Sequence, residues 1–169
     1  MIDPTRQKIL DLVEGFAELK YSQTASFIAG ETPIPPSGKV IGASEMVSVV
    51  DACLDGWLTT GRFNEEFEKN LAAFIGPRHV LTTNSGSSAN LVALAALTSP
   101  KLEDRALRPG DEVITTPLTW IITVNAIAAC GATPVFADVR EDFNIDPESI
   151  KVRISKKTKA IVPMHYAGH

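Results

Sequence analysis

Apolar side chains at Ile9, Leu10, Leu12, Val13, Phe16 and Leu19 recur at helical spacing and predict an amphipathic helix over residues 5–20. The pattern then stops. Residues 22–39 hold Gly30, Pro33, Pro35, Pro36 and Gly38, which exclude regular structure and predict an extended arm lying on a surface. A second helix is predicted from Ser44, a capping residue with Glu45 in the first turn, to about Leu54. A third runs over 64–75 and is stopped by Gly76-Pro77. Between them Leu58-Thr59-Thr60-Gly61-Arg62 reads as a turn.

From residue 80 the period alternates between that of strands and that of helices. Strands are predicted over 80–83, 111–115, 134–138 and 160–164, and helices over 87–97, 119–130 and 147–154. A polar loop with Pro100 and Pro109 fills 99–110. Runs such as Glu112-Val113-Ile114 and Ala160-Ile161-Val162 suit parallel strands covered on both faces. The βαβαβ rhythm predicts a three-layer α/β domain with right-handed crossovers.

Composition narrows the classes of partner. With 169 residues, 44 % of them hydrophobic, the chain can bury a sizeable single core. A net charge of −4 leaves no basic stripe, which argues against nucleic acid as the main partner. The most basic window, 151–159, reads as a solvated helix end and loop. Cys53 and Cys130 lack CxxC spacing and are expected as buried thiols in a reducing compartment. The start of the chain carries charges from Asp3 onward, without the apolar block of a signal peptide. The longest apolar stretch, 120–136, is interrupted by Asn125, Gly131 and Pro134 and is too short to span a bilayer. A soluble, cytoplasmic chain with no membrane association is expected.

The candidate chemistry centres on Thr83-Asn84-Ser85-Gly86-Ser87-Ser88-Ala89-Asn90, between a predicted strand and a predicted helix. A strand that turns through Gly and Ser into a helix gathers free N–H groups, hydroxyls and the positive dipole end at one point. That combination binds phosphate. The same octapeptide also fits an ordinary strand-turn-helix corner with a Ser N-cap. It lacks both the GxGxxG and the Walker Lys patterns. Ligands of open α/β sheets sit beyond the C-terminal strand ends, which here precede residues 84–88, 116–120 and 165–169. In the second of these, Trp120 offers a ring to stack on a planar ligand, or a core side chain packed under its helix. His165 and His169 without a third ligand do not make a zinc site.

These residues resemble the DegT/DnrJ/StrS family of pyridoxal-phosphate-dependent nucleotide-sugar aminotransferases and dehydrases. The resemblance is carried by Asn84-Ser85-Gly86-Ser87-Ser88-Ala89-Asn90-Leu91, by Pro109-Gly110-Asp111-Glu112-Val113-Ile114-Thr115, and by Thr119-Trp120 with Asn125-Ala126-Ile127. Gly131-Ala132-Thr133-Pro134-Val135-Phe136-Ala137-Asp138, Thr158-Lys159-Ala160-Ile161-Val162-Pro163 and His165-Tyr166-Ala167-Gly168 continue it, in family order. It extends from about Phe27 to His169. The segment from Gly30 to Val40, the run Trp57-Leu58-Thr59-Thr60-Gly61-Arg62-Phe63 and the insertion Leu97-Thr98-Ser99-Pro100-Lys101-Leu102 are similar to the CDP-4-keto-6-deoxyglucose 3-dehydrase branch. Pro117-Leu118-Thr119-Trp120 and His165-Tyr166-Ala167-Gly168 look more like the sugar aminotransferases.

The resemblance implies the three-layer α/β sandwich of the PLP-dependent transferase large domain (aspartate aminotransferase, fold type I), incomplete here. Residues 1–40 would form an N-terminal helix and arm, and 41–169 the N-terminal part of the cofactor domain. Its implied activity is modification of a nucleotide-linked 4-keto-6-deoxy sugar for polysaccharide, such as lipopolysaccharide O-antigen, of the 3-dehydrase type. The alternatives are an aminotransferase using glutamate as amino donor, or a non-catalytic gene fragment. The implied cofactor is pyridoxal 5'-phosphate or pyridoxamine 5'-phosphate, its phosphate held by Gly86, Ser87 and Ser88 and its ring stacked on Trp120. Thr59, Thr60 and Gly61 would approach the substrate. His165 and Tyr166 would lie near the site, or simply pack their loop. A homodimer is implied, with an iron-sulfur reductase partner for a dehydrase. The family's ring-nitrogen Asp and its proton-transferring Lys or His lie beyond residue 164, and no lysine here occupies that position. The chain is therefore expected to be the N-terminal part of a longer enzyme, without catalytic residues of its own and inactive alone. The implied strand order puts the segment near Val80 on one side of the sheet and those near Val113, Val135 and Ile161 on the other.

Overall fold

The computed structural model describes residues 3–21, 26–35 and 37–168, which fall into two compact units, 1–80 and 81–169. In the first unit, helix α1 spans Pro4–Tyr21. Asp3 starts it, its carboxylate accepting from the Thr5 N–H at 2.7 Å, with Pro4 in the first turn where a missing N–H costs nothing. Of the extended arm expected over 22–39, residues 22–25 and 36 lie outside the described residues. The remainder is irregular, as Pro33 and Pro35 require.

Helix α2 (Ala43–Leu54) packs along α1, which buries Leu10 and Ala17. Its N-cap is Gly42 rather than Ser44. The Glu45 carboxylate reaches back to accept from the Gly42 N–H at 2.7 Å, satisfying a first-turn donor without a capping hydroxyl. Cys53, expected to be buried, is exposed in the last turn of α2, a helix with no fully buried side chain. Helix α3 (Arg62–Ile75) ends at Gly76, whose φ of 100° gives the left-handed cap that glycine adopts without a Cβ clash.

The second unit opens with residues 81–85, which run irregularly rather than as the strand expected over 80–83. A strand exists only through a ladder partner, and the sheet of the described residues is made by other segments. Helix α4 (Gly86–Leu97) follows, then a 3-10 turn over Pro100–Arg105. Strands β1 (Glu112–Thr115), β2 (Thr133–Phe136) and β3 (Thr158–Val162) form a parallel sheet in the order β2-β1-β3. Helix α5 (Ile121–Ala129) joins β1 to β2, and the short helix α6 (Pro147–Lys151) lies between β2 and β3.

Alternation along β1 sends neighbouring side chains to opposite faces. Val113 packs with Leu94 of α4 and with Ala126 and Ile127 of α5; half-buried Cys130 lies against the same cluster. Ile114 packs on the other face with Ala137 and Ile145, backed by Val135 and Ile150. The sheet is thus covered on both sides, giving three layers. The chain leaves β1 in one direction to reach β2 and returns past it to β3. Two crossovers of one hand running in opposite directions must lie on opposite faces, and α5 and α6 do. This makes β1 the strand at which the order reverses. In open α/β sheets the ligand crevice forms outside the strand ends at such a point.

Candidate functional site

Three loops matter. At the first, Thr83 Oγ1 donates to the Ser85 carbonyl at 2.9 Å, which fixes the approach to α4. Ser85 is the N-cap, its Oγ accepting from the Ser88 N–H at 3.2 Å and its hydroxyl donating to Ser88 Oγ at 3.2 Å. The cap therefore falls on Ser85 and leaves its neighbours free. Among the described residues, the Gly86 and Ser87 N–H groups and the Ser87 hydroxyl have no protein partner. A Cβ placed on Gly86 would meet nothing within 4 Å, so the space before the helix end is open. Two unsatisfied donors, a free hydroxyl and a dipole terminus converge there, which is what a phosphate requires. Ser87 and Ser88 also line a cleft of about 220 Å³ with Leu91 of α4 and Ile122, Asn125 and Ala126 of α5.

The second loop leaves β1. Thr115 and Thr116 are fully buried. Thr115 Oγ1 donates to the Val162 carbonyl of β3 at 2.9 Å, and Thr116 Oγ1 accepts from the Leu118 N–H at 3.2 Å. This turn delivers Trp120 to the N-cap of α5 with 72 % of its surface exposed. A core role for that indole, one of the two readings the sequence allowed, does not fit its position in this chain. Trp120 does not line the α4–α5 cleft.

The third loop follows β3. The Tyr166 N–H donates to Oδ1 of buried Asn144 at 2.9 Å, and the Tyr166 ring meets Phe143 at 5.2 Å between centroids. His165 borders a hollow of about 320 Å³ with Arg140, Asp142 and Met164. Tyr166 is thus held as part of its loop's packing. Asn144, which orients it, carried no periodic or motif signal.

In the first unit, Thr59, Thr60 and Gly61 border a hollow of about 500 Å³ that also includes Trp57, Arg62 and Phe63. The Trp57 indole N–H donates to the Thr60 carbonyl at 2.8 Å across the turn. Gly61 is the N-cap of α3, and a Cβ there would stand 3.4 Å from the Trp57 ring. The Arg62 guanidinium lies 4.0 Å from the centre of the Phe63 ring. Behind the turn, Arg6 and Arg62 bind Asp51 and Asp55 in a closed four-membered ring of charge. Hydrogen bonds from Arg62 first, and then Arg6, hold both carboxyls below the usual aspartate range. Sequence reasoning missed this ring, although Asp51 and Asp55 one helical turn apart with Arg62 close by were visible. The Thr59–Gly61 turn belongs to the first unit, whereas Gly86, Ser87, Ser88 and Trp120 belong to the second.

A Ser-Gly-Ser-Ser start to α4 and an aromatic at the N-cap of α5, on a three-layer parallel α/β unit, mark the class of protein that the chain resembles. The chain belongs to the DegT/DnrJ/EryC1/StrS aminotransferase family, which it matches over residues 40–169. It is 54 % identical over 165 residues to the lipopolysaccharide biosynthesis protein RfbH of Salmonella typhimurium, covering 97 % of this chain and 38 % of RfbH. It is 41 % identical over 170 residues to a dTDP-4-dehydro-2,6-dideoxy-D-glucose 3-dehydratase of Saccharopolyspora spinosa, covering 100 % of this chain and 36 % of that protein. Among solved structures it is similar to E. coli GDP-4-keto-6-deoxy-D-mannose-3-dehydratase with bound hydrated PLP. That match has a TM-score of 0.62 and 32 % identity, over 69 % of this chain and 30 % of the other. The described sheet and helices are accordingly part of the three-layer α/β domain of PLP-dependent transferases, the fold expected from the sequence. The chain spans little more than a third of the curated relatives' length. Among the described residues no helix is long and apolar enough to cross a membrane.

Proposed function

We propose that this chain supplies the phosphate-binding and ring-stacking elements, and the substrate-side turn, of an enzyme that modifies a nucleotide-linked 4-keto-6-deoxy sugar. Lipopolysaccharide or related polysaccharide is the destination, and 3-dehydration is the reaction type. The observation that carries the reading is the unpartnered set of donors at Gly86 and Ser87, with their space left open. The fit to pyridoxal or pyridoxamine phosphate is chemical. The helix start can take a phosphate dianion, and an exposed indole can cover a planar ring. When bound, that cofactor supplies the electron sink for chemistry next to the sugar keto group. This chain's own part is to bind and orient. Gly86 and Ser87 hold the phosphate by backbone N–H groups, the Ser87 hydroxyl adds a charge-assisted hydrogen bond, and Trp120 shields one ring face. Thr59 and Thr60 present hydroxyls to the sugar. The same reading carries a homodimer and an iron-sulfur reductase partner.

Amino transfer from glutamate is the second reading. It is favoured by the aminotransferase-like Pro117-Leu118-Thr119-Trp120 and His165-Tyr166-Ala167-Gly168 segments. The test is titration of a Trp57→Phe variant with pyridoxamine phosphate, observed through Trp120 fluorescence. Quenching by pyridoxamine phosphate but not by pyridoxamine is expected. Equal responses to the two would remove the phosphate site. The reaction type is read on a full-length relative supplied with cofactor and a nucleotide-linked 4-keto-6-deoxy sugar, where a product lacking the 3-hydroxyl supports dehydration. A product carrying nitrogen from glutamate supports amino transfer.

A further inference from the structure

The charge ring behind the Thr59–Gly61 turn is placed where its members are unfavourable in isolation. Asp51 and Asp55 are one turn apart on the same face of α2, so they repel. Asp51 sits in the last turn of that helix and Asp55 is its C-cap, both at the negative end of its dipole. Their positions make sense only with the two arginines. Each carboxylate is shared, one oxygen facing each guanidinium. Arg6 Nε donates to Asp51 Oδ1 at 2.7 Å and Arg6 Nη2 to Asp55 Oδ1 at 2.6 Å. Arg62 Nε donates to Asp55 Oδ2 at 2.8 Å, and Arg62 Nη2 to Asp51 Oδ2. Arg6 Nη2 also donates to the Asp51 carbonyl. The Arg6, Asp51 and Asp55 side chains are 20–29 % exposed, less open than an ordinary surface pair.

The ring joins three elements at one place. Asp55 is the C-cap of α2 and Arg62 the first residue of α3, so the ring closes the base of the intervening 56–61 turn. Arg6 reaches it from α1, and among the described residues its side-chain hydrogen bonds go to Asp51 and Asp55 rather than to the turn itself. The Trp57–Thr60 hydrogen bond is the second tie, nearer the tip. We propose that Arg6 is a positioning residue for the Thr59–Gly61 turn, acting through the shared carboxylates of Asp51 and Asp55 on Arg62. Only the identification of that turn as substrate-facing rests on the function proposed above. The geometric role stands without it. The N-terminal helix thereby becomes part of the turn's scaffold, and a fork-shaped cation is needed because one side chain must serve two carboxylates at once.

Trp57 reports on the turn. Its ring is already 65 % exposed, so mobility is a better readout than solvent access. The experiment uses the 169-residue chain with Trp120→Phe, leaving Trp57 as the single tryptophan, excited selectively over the two tyrosines, and measures time-resolved anisotropy and far-UV circular dichroism. Arg6→Ala should raise the fast-decaying anisotropy amplitude about twofold with helix content kept. Arg6→Lys, which keeps charge but not the fork, should fall between. Leu10→Ala, which weakens α1–α2 packing without touching an ion pair, should move the amplitude much less. If Arg6→Ala fails to fold, Asp55→Asn gives the same reading from the opposite side of the ring. No rise in Arg6→Ala or Asp55→Asn, or an equal rise in Leu10→Ala, overturns the proposal. Binding of a nucleotide-linked keto sugar, followed separately with Trp120 intact, tests the other claim. If Trp57 loosens while the parent chain binds no such sugar, the positioning role holds and the substrate assignment of the turn falls.

Discussion

The two serines flanking Gly86 make opposite predictions, because the structure gives one a partner inside the protein and leaves the other free. Ser85 Oγ accepts from the Ser88 N–H at 3.2 Å, so Ser85→Ala removes an N-cap and should cost about 0.5–2 kcal/mol of stability with or without ligand. The Ser87 hydroxyl has no partner among the described residues, and alanine is the better helix former. Ser87→Ala should therefore change stability by less than about 0.5 kcal/mol. Toward a phosphate ligand the order reverses. A hydrogen bond to a charged group contributes roughly 1.5–3 kcal/mol, so losing the Ser87 hydroxyl should weaken binding by about 10- to 150-fold. The backbone N–H groups survive both substitutions, which keeps the loss from being total. Urea unfolding of each variant, paired with calorimetric titration of pyridoxal phosphate and pyridoxal, separates the two effects. If Ser87→Ala is destabilised as much as Ser85→Ala and binds pyridoxal phosphate unchanged, the hydroxyl serves the cap. The anion reading of this helix start would then be wrong.

Ile127 is fully buried in the cluster with Leu94, Leu107 and Val113, so Ile127→Ala should cost about 2–5 kcal/mol in denaturant unfolding of the second unit. A loss below about 1 kcal/mol would show that the α5–sheet contact is loosely packed. Gly131 and Gly110 both hold left-handed backbone, at φ of 77° and 86°, but only at Gly131 would a Cβ meet a neighbour, the Pro109 ring 3.4 Å away. That spacing is ordinary van der Waals contact, so alanine should cost about 1–2 kcal/mol at both positions through φ; a clearly larger loss at Gly131 would mean that the Pro109 ring cannot give way. For the acid limb, hydrogen bonds from Arg62 and Arg6 depress the Asp51 and Asp55 carboxyls, and the Gly42 N–H depresses Glu45. A depressed carboxyl stabilises the fold above its unfolded value, about 4, and loses that contribution as pH falls through its folded value. The first unit, followed through Trp57, should thus weaken below about pH 4, and Asp51→Asn should flatten that fall; an unchanged slope would remove the ring from the acid response.

What could be read from the chain was local. The helices over 4–21, 43–54, 62–75, 86–97 and 121–129 announce themselves by periodicity and caps, and the three strands by short apolar runs. The unbroken apolar runs at Val113-Ile114 and Ala160-Ile161-Val162 even foretell a sheet covered on both faces. The helix start at Gly86 was legible because a Ser N-cap and the free N–H groups behind it are properties of contiguous backbone. Whatever depends on distant partners was not. Residues 80–83 carry a strand's composition, but pairing is decided elsewhere in the chain. Arg6 meets Asp51 across 45 positions and Asp55 across 49, separations that no periodicity encodes. Cys53 was misjudged because burial depends on what faces a helix, and the last turn of α2 buries no side chain.

Topology explains why the legible loops matter. The chain runs from β1 through α5 to β2, then back through α6 to β3 on the other side of β1. The end of β1 is where the order reverses, and the buried hydroxyls of Thr115 and Thr116 fix it by bonding to β3 and to the Leu118 N–H. A covalently short route of four residues from Thr116 then sets Trp120 at the start of α5. The indole is therefore presented by a turn tied to β3 and to its own backbone while its own surface stays exposed. Interior packing would have put that ring under α5 instead. A large aromatic anchored through its backbone at a helix N-cap and left so open is what a stacking wall for a planar ligand demands, and this is the physical ground on which we propose to pair it with the start of α4 as a phosphate site.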